Sequence, residues 1–135
     1  MKLKFSYIDG GIHPKIGHVF HWQRVAINDT DSVRYSHYLC GVLGAVAQSI
    51  SDCDRLLGFI DSVEHDKEVE IETGRNDVTL TLNRSGVQVD INLNEEWIGQ
   101  SDGHFTLVEW RKTLDGWRRF LEMPQSLESV VELEK

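Results

Sequence analysis

Residues 68–93 read EVEIETGRNDVTLTLNRSGVQVDINL, and an apolar side chain occupies every second position in three consecutive runs. The runs are Val69 and Ile71, then Val78, Leu80 and Leu82, then Val87, Val89, Ile91 and Leu93. A period of two is the signature of a strand, whose pleat sends successive side chains to opposite faces. Gly74-Arg75-Asn76-Asp77 and Asn83-Arg84-Ser85-Gly86 separate the runs with residues suited to tight turns. The pattern predicts a three-stranded antiparallel meander with Val69, Val78, Leu80, Val89 and Ile91 facing inward. Its other face carries Glu68, Glu70 and Glu72, then Thr79 and Thr81, then Gln88, Asp90 and Asn92, a polar platform.

A sheet that is apolar on one face must be covered there by another element. On the C-terminal side, Leu107, Trp110, Leu114, Trp117 and Leu121 recur at helical spacing, with Phe120 beside them. Thr106 is placed to cap this helix and Pro124 to stop it. Residues 125–135 read as a loose tail or an edge addition. On the N-terminal side, residues 2–8 alternate and residues 19–27 are rich in β-branched and aromatic side chains. They form a hairpin through Gly10-Gly11 and His13-Pro14.

Asp31 or Ser32 then caps a helix whose buried stripe is Leu39, Leu43, Val46 and Ile50. Gly41 and Gly44 each cost it about 1 kcal/mol relative to Ala, which implies close approach of another element. Leu56, Leu57, Ile60 and Val63 mark a second, short helix ending near His65. The expected class is α+β: an antiparallel sheet, made of the N-terminal hairpin and the meander, packed against a helix of the N-terminal half and the C-terminal helix. A chain of 135 residues, 40% of them apolar, is expected to form a single domain over residues 1–135.

No apolar run approaches the roughly 18 residues of a membrane span, and residues 1–9 lack a signal-peptide core. Cys40 and Cys53 are the only cysteines and have no CxxC spacing, so buried reduced thiols and a cytoplasmic location are expected. The net charge of −8 is unevenly spread. Residues 1–55 carry six basic and five acidic side chains, residues 56–103 three against eleven, and residues 104–135 five against six. Such a field serves solubility. It also repels nucleic-acid phosphate, so no direct nucleic-acid binding is expected, and it attracts a basic protein.

His13, His18 and His21 have a spacing that invites a zinc site, but His18 and His21 differ by an odd number and point to opposite faces of a strand. No metal and no cofactor are expected. Glu64-His65-Asp66 and Asp102-Gly103-His104 place acids beside histidines without a nucleophile motif, and no Gly-rich phosphate loop, HExxH or EF-hand loop occurs. The chain reads as a binding protein with no catalytic residues. The alternative is a dispersed-site enzyme, or a small-ligand or metal-binding domain, using the histidine-rich hairpin. Trp110, Trp117 and Phe120 are assigned to the core, and Glu109, Arg111, Lys112, Asp115, Arg118 and Arg119 to a solvated helix face.

Residues 56–124 combine a short helix, a charged strand over residues 68–73, the turn Arg75-Asn76-Asp77 and two further strands. They close with Phe105-Thr106-Leu107-Val108-Glu109-Trp110, leading to Trp117-Arg118-Arg119-Phe120-Leu121. This succession resembles the small immunity proteins of bacterial polymorphic-toxin and contact-dependent growth-inhibition systems. The resemblance implies a cytoplasmic protein that binds the C-terminal domain of a cognate toxin, expected to be basic and a nuclease, and covers its active site or substrate surface. Local chemistry, not the family, supplies the candidate partner-binding residues: Glu68, Glu70, Glu72, Asp77, Asp90, Glu95 and Glu96. A second candidate surface is the Arg111, Arg118 and Arg119 side of the last helix.

Overall fold

The N-terminal hairpin is longer than the alternating residues suggest. In the computed structural model, which describes residues 1–134, β1 (Lys2–His13) and β2 (Gly17–Ile27) pair antiparallel along most of their length, with a bulge between Asp9 and Ile12. The segment expected as a loose tail or an edge addition is an edge strand. Val130–Glu134 pairs with the far side of β1, Lys2 opposite Glu134 and Ser6 opposite Val130. We number this strand β7; it alternates exposed and buried residues, with Val131 and Leu133 inward.

The stretch expected as one helix is broken into three pieces. α1 (Ser32–Tyr35) runs into a π-helical turn (Ser36–Cys40), and α2 (Leu43–Val46) follows. The chain then leaves helical geometry at Ala47 and restarts as α3 (Ile50–Glu64). Local side-chain bonds explain the restart. Ser49 accepts from the Asp52 amide at 3.1 Å, and Asp52 accepts from the Gln48 amide at 3.0 Å, a competing N-cap inside the apolar period. Leu39, Leu43 and Val46 are nevertheless fully buried, and Ile50 begins the next helix. The close approach implied by Gly44 is real: a Cβ there would lie 1.9 Å from Arg24 Nη1.

The meander forms as read, from β3 (Glu70–Arg75), β4 (Val78–Asn83) and β5 (Gly86–Ile91), and a two-residue strand, β6 (His104–Phe105), extends it. The class is α+β, with the hairpin and the meander in separate sheets, ordered β2-β1-β7 and β3-β4-β5-β6. Val78, Leu80, Leu82, Val87, Val89 and Ile91 are buried. Val69 and Leu93 are not: at 88% and 70% exposed they lie just outside the strands, where the pleat no longer directs them inward.

α4 (Leu107–Leu121) carries the capping box expected of Thr106, whose hydroxyl accepts from the Glu109 amide while the Glu109 carboxylate accepts from the Thr106 amide, each at 3.0 Å. Trp110, Leu114, Trp117 and Phe120 are buried in one core shared by both sheets. Trp117 stacks on Phe120 of its own helix at 5.3 Å and meets two rings of the first sheet edge-on, Phe5 at 5.3 Å and Trp22 at 5.1 Å. Among the described residues, no helix is long and apolar enough to cross a membrane.

Candidate functional site: the acidic outer face of the second sheet

The register of the second sheet places the outer-face side chains. Glu70 lies opposite Asn83, Glu72 opposite Thr81, Thr81 opposite Gln88, and Thr79 opposite Asp90. Glu70 and Glu72 sit on the exposed edge strand, while Asp90 is two strands away, about 10 Å at the usual strand spacing. Asn83 Nδ2 donates to Glu70 Oε1 at 3.3 Å, and Asn92 Nδ2 to Thr79 Oγ1 at 3.0 Å.

Residues 92–103, which join β5 to β6, lie across the β5 side of this face. Asp90 Oδ1 accepts from the Gly99 amide at 2.7 Å, and Gln88 Nε2 donates to the Gln100 carbonyl at 2.8 Å. Asn94 caps a 3-10 turn (Glu95–Trp97) by accepting from the Glu96 amide at 2.9 Å, which leaves Glu95 and Glu96 exposed. At the near end, the Asp77 carbonyl accepts from the Asn92 amide at 2.7 Å. Six of the seven carboxylates named from the sequence therefore fall into two groups, and the seventh stands apart. Glu68, Glu70 and Glu72 follow the β3 edge, whereas Asp90, Glu95 and Glu96 lie on the β5 side, and Asp77 stands in the turn between β3 and β4.

These acids share one property, the lack of an ion-pair partner among the described residues, and they share it within one region. The acids of α3 are all paired, Asp52 with Arg75 at 2.8 Å, Asp61 and Glu64 with Arg111 at 2.7 and 2.8 Å, and Asp54 with Arg118 at 2.7 Å, and Asp66 just beyond it meets Arg84 at 3.3 Å. Glu122 also pairs with Arg118, and Lys2 reaches Glu132 at 3.2 Å. Among the described residues, no cation pairs with Glu68, Glu70, Glu72, Asp77, Asp90, Glu95 or Glu96. The local field reaches a neighbour: burial pushes the Tyr38 hydroxyl pKa up, and the charges of Asp102 and Asp90 push it further.

The second candidate surface loses its free charge to the same pairing. Arg111 and Arg118 are held by acids of α3, and those partners, Glu64 foremost for Arg111 and Asp54 for Arg118, raise their pKa values. Of the three arginines named on that side, Arg119 alone has no carboxylate partner among the described residues.

The hairpin histidines have separate engagements. His18 Nε2 lies 2.7 Å from Asp9 Oδ1, and its ring stacks on Phe20 at 4.4 Å. The Gly11 amide, then His18, hold the Asp9 carboxyl below its ordinary pKa. His13 Nδ1 accepts from the Lys15 amide at 3.1 Å, and His21 packs over Gly10, where a Cβ would meet its Nε2 at 2.6 Å. No group of three or more His, Cys, Asp or Glu side chains among the described residues is placed to hold a metal ion. His65 Nδ1 donates to the Asp61 carbonyl at 2.9 Å, and the His104 carbonyl accepts from Arg34.

Sequence reading missed the apolar content of residues 92–103. Leu93 and Ile98 are 70% and 41% exposed, and half-buried Trp97 meets the His37 ring edge-on at 4.8 Å. The available signals were Asn94 before two glutamates, an N-cap pattern, and Gly99, which adopts a positive φ of 67°. An open depression of about 520 Å³ lies at the end of the β3 edge, lined by Asp66, Val69, Glu70, Asn83, Arg84 and Ser85. No known protein family, characterised protein or solved structure matches this chain.

Proposed function

We propose that this protein is an immunity protein: it binds the C-terminal domain of a bacterial toxin in the cytoplasm and blocks it, without catalysis of its own. The observation that carries this reading is the outer face of the second sheet, where a cluster of carboxylates stands without cation partners among the described residues, while all four acids of α3 are paired with arginines. Leaving like charges unneutralised costs self-repulsion, and an arriving basic surface converts that cost into attraction and faster encounter. A nuclease cleft must be basic to hold phosphate, so a carboxylate-bearing sheet is suited to occupy it in place of substrate.

The test is to read the gene immediately upstream and, where it encodes a large secreted protein, to co-express the C-terminal domain of that protein with this chain. The expected result is survival of cells that die when the domain is expressed alone, and a purified complex of nanomolar or tighter affinity. Undiminished killing, with no complex between the purified proteins, rejects the reading.

A further inference from the structure

The two sheets present edges that are protected unequally. Unpaired main-chain groups along an edge recruit other strands, and folds block this with charge, proline, bulges or short edges. On β7, Glu132 and Glu134 are paired with Lys2, and Lys112 donates to the Glu134 carbonyl. β3 presents exposed Glu70 and Glu72. β6 is two residues long, and Arg34 occupies its His104 carbonyl. The part of β1 that β7 does not cover is bulged between Asp9 and Ile12.

β2 has none of these devices. Gly17–Ile27 contains no proline, lysine, aspartate or glutamate, and its one formal charge, Arg24, turns inward between the Trp22 and Trp117 rings and beside Gly44. Among the described residues, the hydrogen bonds to its outer main chain lie at its end, where Ser36 Oγ accepts from the Ala26 amide at 2.9 Å and donates to the Ala26 carbonyl at 3.2 Å. Main-chain groups alternate in direction along a strand, so Arg24, Trp22 and Phe20 point their N–H and C=O outward as Ala26 does. His21 and Gln23, facing Ile8 and Ser6, bond inward to β1.

We propose that β2 pairs with the β2 of a second copy of this chain, antiparallel about a two-fold axis at Trp22. This register sets Trp22 against Trp22 and Phe20 against Arg24 of the other copy, and it forms about six main-chain hydrogen bonds. His21 then stands opposite Gln23, and Val19 opposite Val25. No like charges meet, so the edge is self-complementary. Repulsion is low because residues 1–55 carry six basic and five acidic side chains, the acidity lying in residues 56–103. The half-buried Phe20 and Trp22 are covered further by the pairing. One short strand pair is a small interface, so a reversible dimer of micromolar affinity is expected.

Sedimentation equilibrium of the full chain, from low micromolar to millimolar concentration, should show a mass rising from 15.5 kDa toward twice that value. His21→Lys with Gln23→Lys places like charges opposite each other across the axis on exposed positions, and should return the chain to monomer with its far-UV circular dichroism unchanged. Amide exchange supplies a second readout. His21 and Gln23 should be protected at every concentration, while Phe20, Trp22 and Arg24 should slow about tenfold or more as the dimer forms. A monomer at all concentrations, with those three amides exchanging freely, overturns the proposal and leaves the edge to a strand of another protein. A dimer that the double variant does not weaken overturns it as well, since the contact then lies elsewhere.

Discussion

The indole Nε1 of Trp117 donates to the carbonyl oxygen of Ala47 at 2.7 Å, and both residues are fully buried. Ala47 is where α2 gives way, and the bond satisfies a carbonyl at that break while fixing the break against α4. Trp117→Ala should lower the unfolding free energy by about 3–5 kcal/mol through cavity formation. Trp117→Phe retains much of the ring contact with Phe5 and Phe120 but orphans the carbonyl, at about 1–3 kcal/mol. Urea unfolding checks both, and equal losses would show the hydrogen bond to outweigh the packing.

Glu109 has two duties. It completes the capping box with Thr106, and it accepts from the Tyr35 hydroxyl at 2.5 Å, joining α4 to α1. Thr106→Ala should cost about 1 kcal/mol, the usual loss of an N-cap. Glu109→Ala should cost more, because it removes the capping-box acceptor and the acceptor of the Tyr35 hydroxyl together, and Tyr35→Phe should cost less in the Glu109→Ala background than in the parent. Thermal melts of the three single variants and of the Tyr35→Phe, Glu109→Ala double variant measure the coupling.

Alternation made the second sheet legible from residues 68–93 alone, including the outward placement of Glu70, Glu72 and Asp90. It failed at the ends of the runs, since Val69 and Leu93 continue the period beyond the last ladder pair. The stripe Leu39, Leu43, Val46, Ile50 was equally regular, yet a helix that breaks and restarts still buries the first three, so spacing does not reveal the break that Ser49 and Asp52 impose. Pairing of β7 with β1 joins the two ends of the chain, and which sheet receives Trp117 depends on tertiary packing; neither is encoded in local period. For the candidate site, the acids were visible, but the partners that distinguish paired from unpaired carboxylates lie on other elements, as Asp54 with Arg118 does.

Burial pushes the thiols of Cys40 and Cys53 up to about 12. The thiolate is the reactive form, so neither cysteine should be modified by a soluble thiol reagent at neutral pH while the chain is folded. Both should react within the dead time in denaturant. Rapid labelling of one thiol under native conditions would show that its part of the core opens.

The hydrogen bond from Arg118 holds the Asp54 carboxyl below its ordinary pKa. A group whose pKa is depressed in the folded state binds its proton more readily when unfolded. Its contribution to stability is complete above the unfolded value of about 3.9 and is lost as pH falls through the folded value. Asp54→Asn should therefore lower the melting temperature slightly at neutral pH and flatten its fall below about pH 4. The exposure of the pair keeps the effect small. A variant whose acid limb matches that of the parent would assign the acid sensitivity to other carboxylates.

The proposed role places its sharpest demand on Glu70 and Glu72. Both are exposed on the β3 edge and have no cation partner among the described residues, so Glu70→Lys with Glu72→Lys should leave the fold intact. Glu70 gives up only the exposed 3.3 Å bond from Asn83. Asp90 is a poorer choice for charge reversal, because its carboxylate anchors Gly99 and a lysine there would free residues 92–103 as well as change charge. Long-range attraction acts on encounter, so the double variant should bind the toxin domain with a reduced association rate and a weaker dependence on ionic strength, its dissociation rate changing less. Stopped-flow mixing at several salt concentrations separates these effects. Two positive charges in place of two negative ones should slow association about tenfold or more at low salt and converge toward the parent rate at high salt. If instead the variant associates as fast as the parent at low salt, the β3 edge is a solvated surface. The interface would then lie on the β5 side, where Leu93, Trp97 and Ile98 stand beside Glu95 and Glu96.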